Sequence, residues 1–125
     1  MAKHTAWPLA AALTALMAVS TCDVSAKDVG DASLRTLVAT LGAGMFKEQH
    51  HPIDGELACR TEGGEPYRVS CTGKDTDGRP VTLVVEAKHK KDVSSRRRSG
   101  VTAESVVGTV DGTVVFSRKC LGSAC

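Results

Sequence analysis

The sequence predicts an α+β domain in which one N-terminal helix packs on a four- to five-stranded antiparallel sheet braced by two disulfides. Three observations lead there. Apolar residues recur at helical spacing between residues 28 and 46, from residue 56 the apolar period falls to two, and four of the five cysteines lie in or beside the segments with that shorter period. A chain of 125 residues with 42% apolar and 24% charged side chains makes a single domain. With only Trp7, Phe46, Tyr67 and Phe116 as aromatics, a large aromatic-lined cofactor cavity is not expected. Without Asn there is no N-glycosylation acceptor.

The first residues read as an address. Lys3 precedes an uncharged run from Trp7 to Val19, the length of a signal-peptide apolar region and too short for a membrane span, which needs roughly 20 apolar residues. Two processing sites compete. Val19-Ser20-Thr21-Cys22 resembles a bacterial lipobox, in which Cys22 would receive a diacylglyceryl thioether and become the N-terminus of a membrane-anchored lipoprotein; Thr21 departs from the Gly, Ala or Ser usual before that cysteine. Val24-Ser25-Ala26 fits an ordinary signal-peptidase site, cutting before Lys27 and releasing a secreted protein. The signal is thus 1–21 or 1–26, and 27–125 belongs to one exported domain under either reading. A retained N-terminal core helix is the third possibility, opposed by Pro8 and by the all-round apolar character of the run. Either cut leaves Cys59, Cys71, Cys120 and Cys125 as four cysteines available for disulfides, with three possible pairings.

The helix is expected from Asp28 to about Phe46. Leu34, Leu37, Val38, Leu41 and Met45 share one face, Asp28 and Asp31 suit its positive end, and Gly42 and Gly44 weaken its last turn and offer early stops for the helix. Its polar face lacks the cations of a membrane-surface helix, so packing on a sheet is expected. Strands follow at Glu56–Thr61, with Leu57 and Cys59 on one face, and at Tyr67–Gly73, with Tyr67, Val69 and Cys71 on one face. A turn near Glu65 makes Cys59 and Cys71 cross-strand neighbours close enough to bridge. A third strand, Pro80–Ala87, directs Val81, Leu83 and Val85 inward. The last hairpin joins Val106–Val110 to Thr113–Phe116 through Asp111-Gly112, a pair suited to a type I′ turn. Cys120 and Cys125 then close a short terminal loop; the competing arrangement links a tail cysteine to the first hairpin.

Gly55-Glu-Leu-Ala-Cys59, Tyr67-Arg-Val-Ser-Cys71-Thr-Gly, Asp77-Gly-Arg-Pro-Val-Thr82 and the terminal Cys120-Leu-Gly-Ser-Ala-Cys125 resemble segments of small actinobacterial secreted proteins and lipoproteins of uncharacterised function. The resemblance runs chiefly from Leu34 through Glu86. It implies an extracytoplasmic domain with one helix and a cysteine-bridged β-meander, and it implies no activity.

Charge is unevenly spread. Residues 88–98 hold Lys88, Lys90, Lys91, Arg96, Arg97 and Arg98 against Asp92, a net of +5, whereas the rest of the chain from Cys22 carries nine basic and thirteen acidic residues, a net of −4. Such an arm suits a polyanion: anionic lipid headgroups or a phosphate-bearing wall polymer. With Cys22 lipidated it supplies a second membrane signal, each nearby basic residue contributing on the order of 1 kcal/mol at an anionic surface. Nucleic acid is not an expected partner, because no aromatic residues interleave with these charges to stack on bases. The bland alternative is a solvated loop, or charge placed on a strand edge to deter aggregation. In another class, Arg96-Arg97-Arg98 suits a trypsin-like pocket, so a freely secreted protein acting on a protein partner, such as a protease inhibitor, is the alternative function. Glu48, His50, His51 and Asp54 lie close in sequence without a zinc-site spacing, and His-Glu-x-x-His, Gly-x-Ser-x-Gly and phosphate-loop motifs are missing. No catalytic, metal or cofactor residue is expected.

Overall fold

The structure, a computed structural model, describes residues 24–25, 30–96 and 99–125, with 24, 25 and 96 described by their backbone alone. Its elements are β1 (Val24–Ser25), α1 (Asp31–Glu48), β2 (Ala58–Glu62), β3 (Tyr67–Lys74), β4 (Pro80–Ala87), a 3-10 turn (Lys90–Asp92), β5 (Ser94–Arg96), β6 (Gly100–Val110) and β7 (Thr113–Gly122). All strand pairs are antiparallel, in the order β1-β5-β6-β4-β3-β2 with β7 also on β6. The predicted α+β architecture is the observed one: α1 packs on a curled sheet whose five long strands are β2, β3, β4, β6 and β7. The two short strands, β1 and β5, extend it beyond the expected meander.

The inward face is the one the period of two marks. Tyr67, Val69 and Cys71 of β3 and Val81, Leu83 and Val85 of β4 are all buried. Val69 pairs with Val85 and Cys71 with Leu83, so same-face apolar side chains stack across strands. Cys59 stands opposite Cys71 and the two form a disulfide, with Cα atoms 3.9 Å apart. Cys120 and Cys125 form the second disulfide. Asp111 and Gly112 have φ of 54° and 81°, the positive values a type I′ turn requires at both positions.

β6 is longer than expected because it serves two partners along one edge. Residues 105–110 pair with β4, residues 100–102 pair with β5, and β7 runs along the other edge. Val101 and Ala103 are buried, and so are Val106 and Val110, although the alternation changes parity between them. Between Thr102 and Val106 the register shifts, with β6 carrying two more residues than the facing stretch of β7, and the chain changes parity there so that both runs face the core.

The helix passes through Gly42 and Gly44 to Glu48 instead of ending at them. Gly42 is buried against the sheet, where a Cβ would collide with Leu83 Cδ2, whereas a Cβ on Gly44 would meet nothing within 4 Å. On β6, Gly108 leaves room for Phe116 and for Phe46 of α1, whose rings meet edge-to-face with centroids 4.9 Å apart. The two helical glycines therefore make opposite predictions. Gly44→Ala should stabilise the protein by about 0.5–1 kcal/mol through helix propensity. Gly42→Ala gains the same propensity, but overpacking against a fully buried Leu83 costs about 1–3 kcal/mol, so chemical denaturation should show a net loss.

Candidate functional site

The helix N-terminus, the start of β3 and the end of β4 share one end of the molecule with the basic segment. There Asp31 of α1 accepts hydrogen bonds at Oδ1 from the Tyr67 hydroxyl (3.1 Å) and from Lys90 Nζ (2.7 Å). Lys90 Nζ also lies 5.9 Å from the centre of the Tyr67 ring. The bond from Lys90 lowers the Asp31 carboxyl below its usual value, against a smaller opposing effect of burial, and Tyr67 and Arg35 reinforce the lowering. Burial, and then the bond to Asp31, pushes the Tyr67 hydroxyl up to about 12.

The expected arm is shorter and better tethered than a free loop. Val93, fully buried, pins it to the core. The Lys88 backbone N–H donates to Glu104 Oε2 at 2.9 Å, and His89 Nδ1 lies 3.0 Å from Glu65 Oε1. Residues 94–96 then enter the sheet as β5. Among the predicted polyanion contacts, Lys88 and Lys91 are exposed, Lys90 is half-buried on Asp31, and Arg96 ends β5. The contacts assigned to Arg97 and Arg98, and the lipidation assigned to Cys22, fall outside the described residues.

At the opposite end, Asp75 is buried and accepts from the backbone N–H groups of Asp77 (3.0 Å) and Arg79 (2.8 Å) and from Arg79 Nε (3.0 Å). Burial pushes its carboxyl up, but the two backbone bonds and the guanidinium together outweigh that and hold it below the usual range. His51, whose buried Nδ1 has no hydrogen-bond partner, lies 3.9 Å from Asp75 Oδ2. Ile53 bridges to Asp75 and Asp54 N–H donates to the Lys74 carbonyl, so this cluster ties the turn after β3 to the link after α1. The Asp75 carboxylate is taken up by that tie, while His51 Nδ1 stays without a hydrogen bond. Among the described residues no group of three or more His, Cys, Asp or Glu side chains is placed to hold a metal.

Two open clefts flank the helix. One of about 520 Å³ lies between α1 and β2, lined by Ala32, Ala39, Ala43, Leu57 and the half-buried Cys59, with Arg35 donating to Thr61 Oγ1 at its rim (3.2 Å). The other, about 420 Å³, lies beside the terminal disulfide between Glu48 and Arg118. Neither gathers the nucleophile, base and oxyanion donors of a reaction site.

No protein-family model, curated protein or solved structure matches the chain. The two disulfides are those of a protein that matures in an oxidising, extracytoplasmic compartment. Among the described residues no helix is long and apolar enough to cross a membrane.

The role of Asp31 as the counter-ion of Lys90 and partner of Tyr67 had no sequence signal: 36 residues separate Asp31 from Tyr67, and only the crossing of α1 over β3 joins them. A raised tyrosine pKa fixes the sign of its pH effect. The stability contributed by neutral Tyr67 is fully present below pH 10 and is lost as the pH rises toward 12, a loss on the order of 2 kcal/mol. Equilibrium denaturation of Tyr67→Phe beside the native protein should show the native curve falling across that window more steeply than the variant. Parallel curves would remove Tyr67 from the alkaline transition.

Proposed function

We propose that the protein is an exported lipoprotein, with Cys22 as the lipid-modified N-terminus and the rest of the chain folded into a small binding or accessory module at the outer face of the membrane. The single observation that carries this reading is β1. Val24 pairs with Ser95 and Ser25 with Ser94, so these residues belong to the sheet. Cleavage before Lys27 would discard that strand with the signal. Cleavage before Cys22 keeps it, which favours the upstream site although Thr21 departs from the usual lipobox.

The oxidising compartment indicated by the disulfides agrees with export, and an acyl-modified Cys22 supplies attachment without a spanning helix. The function is read as binding, not catalysis, with a polyanion as the partner of the basic segment. The alternative, a freely secreted protein acting on another protein such as a protease, requires the downstream cut.

Intact-mass measurement of the protein from membranes of its native host tests the reading. A mature chain beginning at Cys22 and carrying two or more acyl chains is expected, and Cys22→Ala should abolish membrane retention. A mature N-terminus at Lys27 overturns the proposal.

A further inference from the structure

Resting on that reading of Cys22, we infer that the end of the domain bearing β1, β5 and the 3-10 turn is a contact surface for anionic phospholipid headgroups of the membrane that holds the anchor. Chain connectivity supplies the first argument. Cys22 is two residues from Val24, a span of at most about 7 Å, so an acylated Cys22 brings β1 and its partner β5 to the bilayer surface.

Charge supplies the second. Lys88 follows the last residue of β4 and Lys91 sits in the turn leading into β5; both are exposed, and among the described residues no carboxylate lies within 4.0 Å of either ammonium. Arg96 closes β5. Lys90 is excluded from the surface set, because Asp31 already holds it. Among the carboxylates at this end, Asp31 is paired with Lys90 and accepts from Tyr67, Glu65 lies 3.0 Å from His89, and Glu104 accepts from the Lys88 backbone N–H while keeping its own charge. Among the described residues at this end, Asp92 is the exposed acidic residue that lacks such a contact.

The opposite end provides an internal control. Lys47 near the helix C-terminus and Lys74 at the end of β3 are exposed, and the eight residues of β4 separate the two ends by roughly 23 Å. That exceeds the screening length of about 8 Å at physiological ionic strength, so a bilayer at the β1–β5 end leaves Lys47 and Lys74 in bulk solvent. A phosphate-bearing wall polymer offers similar charge, but it lacks the positional tie that the acylated residue imposes.

The experiment is lysine acylation footprinting of the full-length lipidated protein on vesicles of phosphatidylcholine alone and of phosphatidylcholine mixed equally with phosphatidylglycerol. Lys88 and Lys91 should label about fivefold or more slowly on the mixed vesicles, with the difference abolished near 1 M salt. Labelling of Lys47 and Lys74 should not change. Equal labelling of Lys88 and Lys91 on both vesicles, or protection of Lys47 and Lys74 instead, overturns the inference. So does protection of Lys88 and Lys91 by soluble inorganic polyphosphate but not by the mixed vesicles, which would assign the surface to a polymer.

The anchor is scored separately, since a protein that washes off pure phosphatidylcholine vesicles lacks it. In that event binding of the unanchored protein to the mixed vesicles is compared with that of Lys88→Ser/Lys91→Ser and of Lys47→Ser/Lys74→Ser. A loss of about fivefold per residue removed from the first pair alone retains the surface, and identical binding of both variants rejects it.

Discussion

The close approach of α1 to the concave face of the sheet is the constraint on which the rest of the structure depends. A curled antiparallel sheet buries one face only if something fills it, and among the described residues the 18-residue α1 does so. Two glycines set the approach, Gly42 on the helix against Leu83 and Gly108 on β6 beneath Phe46 and Phe116. The aromatic pair lies over the middle of the sheet, where Gly108 removes the side chain that would hold the rings off. With Leu34, Val38, Leu83 and Phe46 fully buried at roughly 1.5–3 kcal/mol each, this contact outweighs any one polar interaction among the described residues.

Helix placement in turn decides the state of the basic segment. Because α1 crosses β3 with its N-terminus beside Tyr67, Asp31 lies within reach of Lys90. That ion pair is open to water, with about a third of Lys90 and nearly half of Asp31 exposed, so it is worth at most about 1 kcal/mol. Burial of Val93 is the larger contribution, about 1.5–3 kcal/mol, and it fixes where the segment re-enters the sheet as β5. The segment is thus held by its one apolar residue, and its exposed cations are left facing solvent.

Much of the sheet was legible in the sequence. Alternation placed β3 and β4 within a residue, and it put both cysteines of the first hairpin on the apolar face, which made the Cys59–Cys71 register a natural expectation. Asp111-Gly112 marked the last hairpin because few residue pairs accept positive φ twice in succession. The N-terminal half of β6 was not legible. Its alternation is broken by the bulge between Thr102 and Val106, and its pairing partner, β5, lies in a stretch whose charge suggests a loop. Gly42 and Gly44 misled for a different reason: glycine marks both weak helices and tight packing, and only a neighbouring surface tells them apart. For the candidate site, composition disclosed the +5 segment, but not that Lys90 is engaged by Asp31 while Lys88 and Lys91 are exposed.

Local pattern in the chain settles the fold class, the strand faces, the hairpin turn and the uneven charge, because each of these depends on residues near one another in the sequence. The tertiary structure decided which cations remain exposed, how closely the helix sits on the sheet, and that residues 24 and 25 form a strand with β5. Those outcomes depend on groups brought together from distant parts of the chain, and a local pattern carries no record of them. The pairing of β1 with β5 is the plainest case: a two-residue strand has no period to detect, and it exists because β5 presents an edge 70 residues further on.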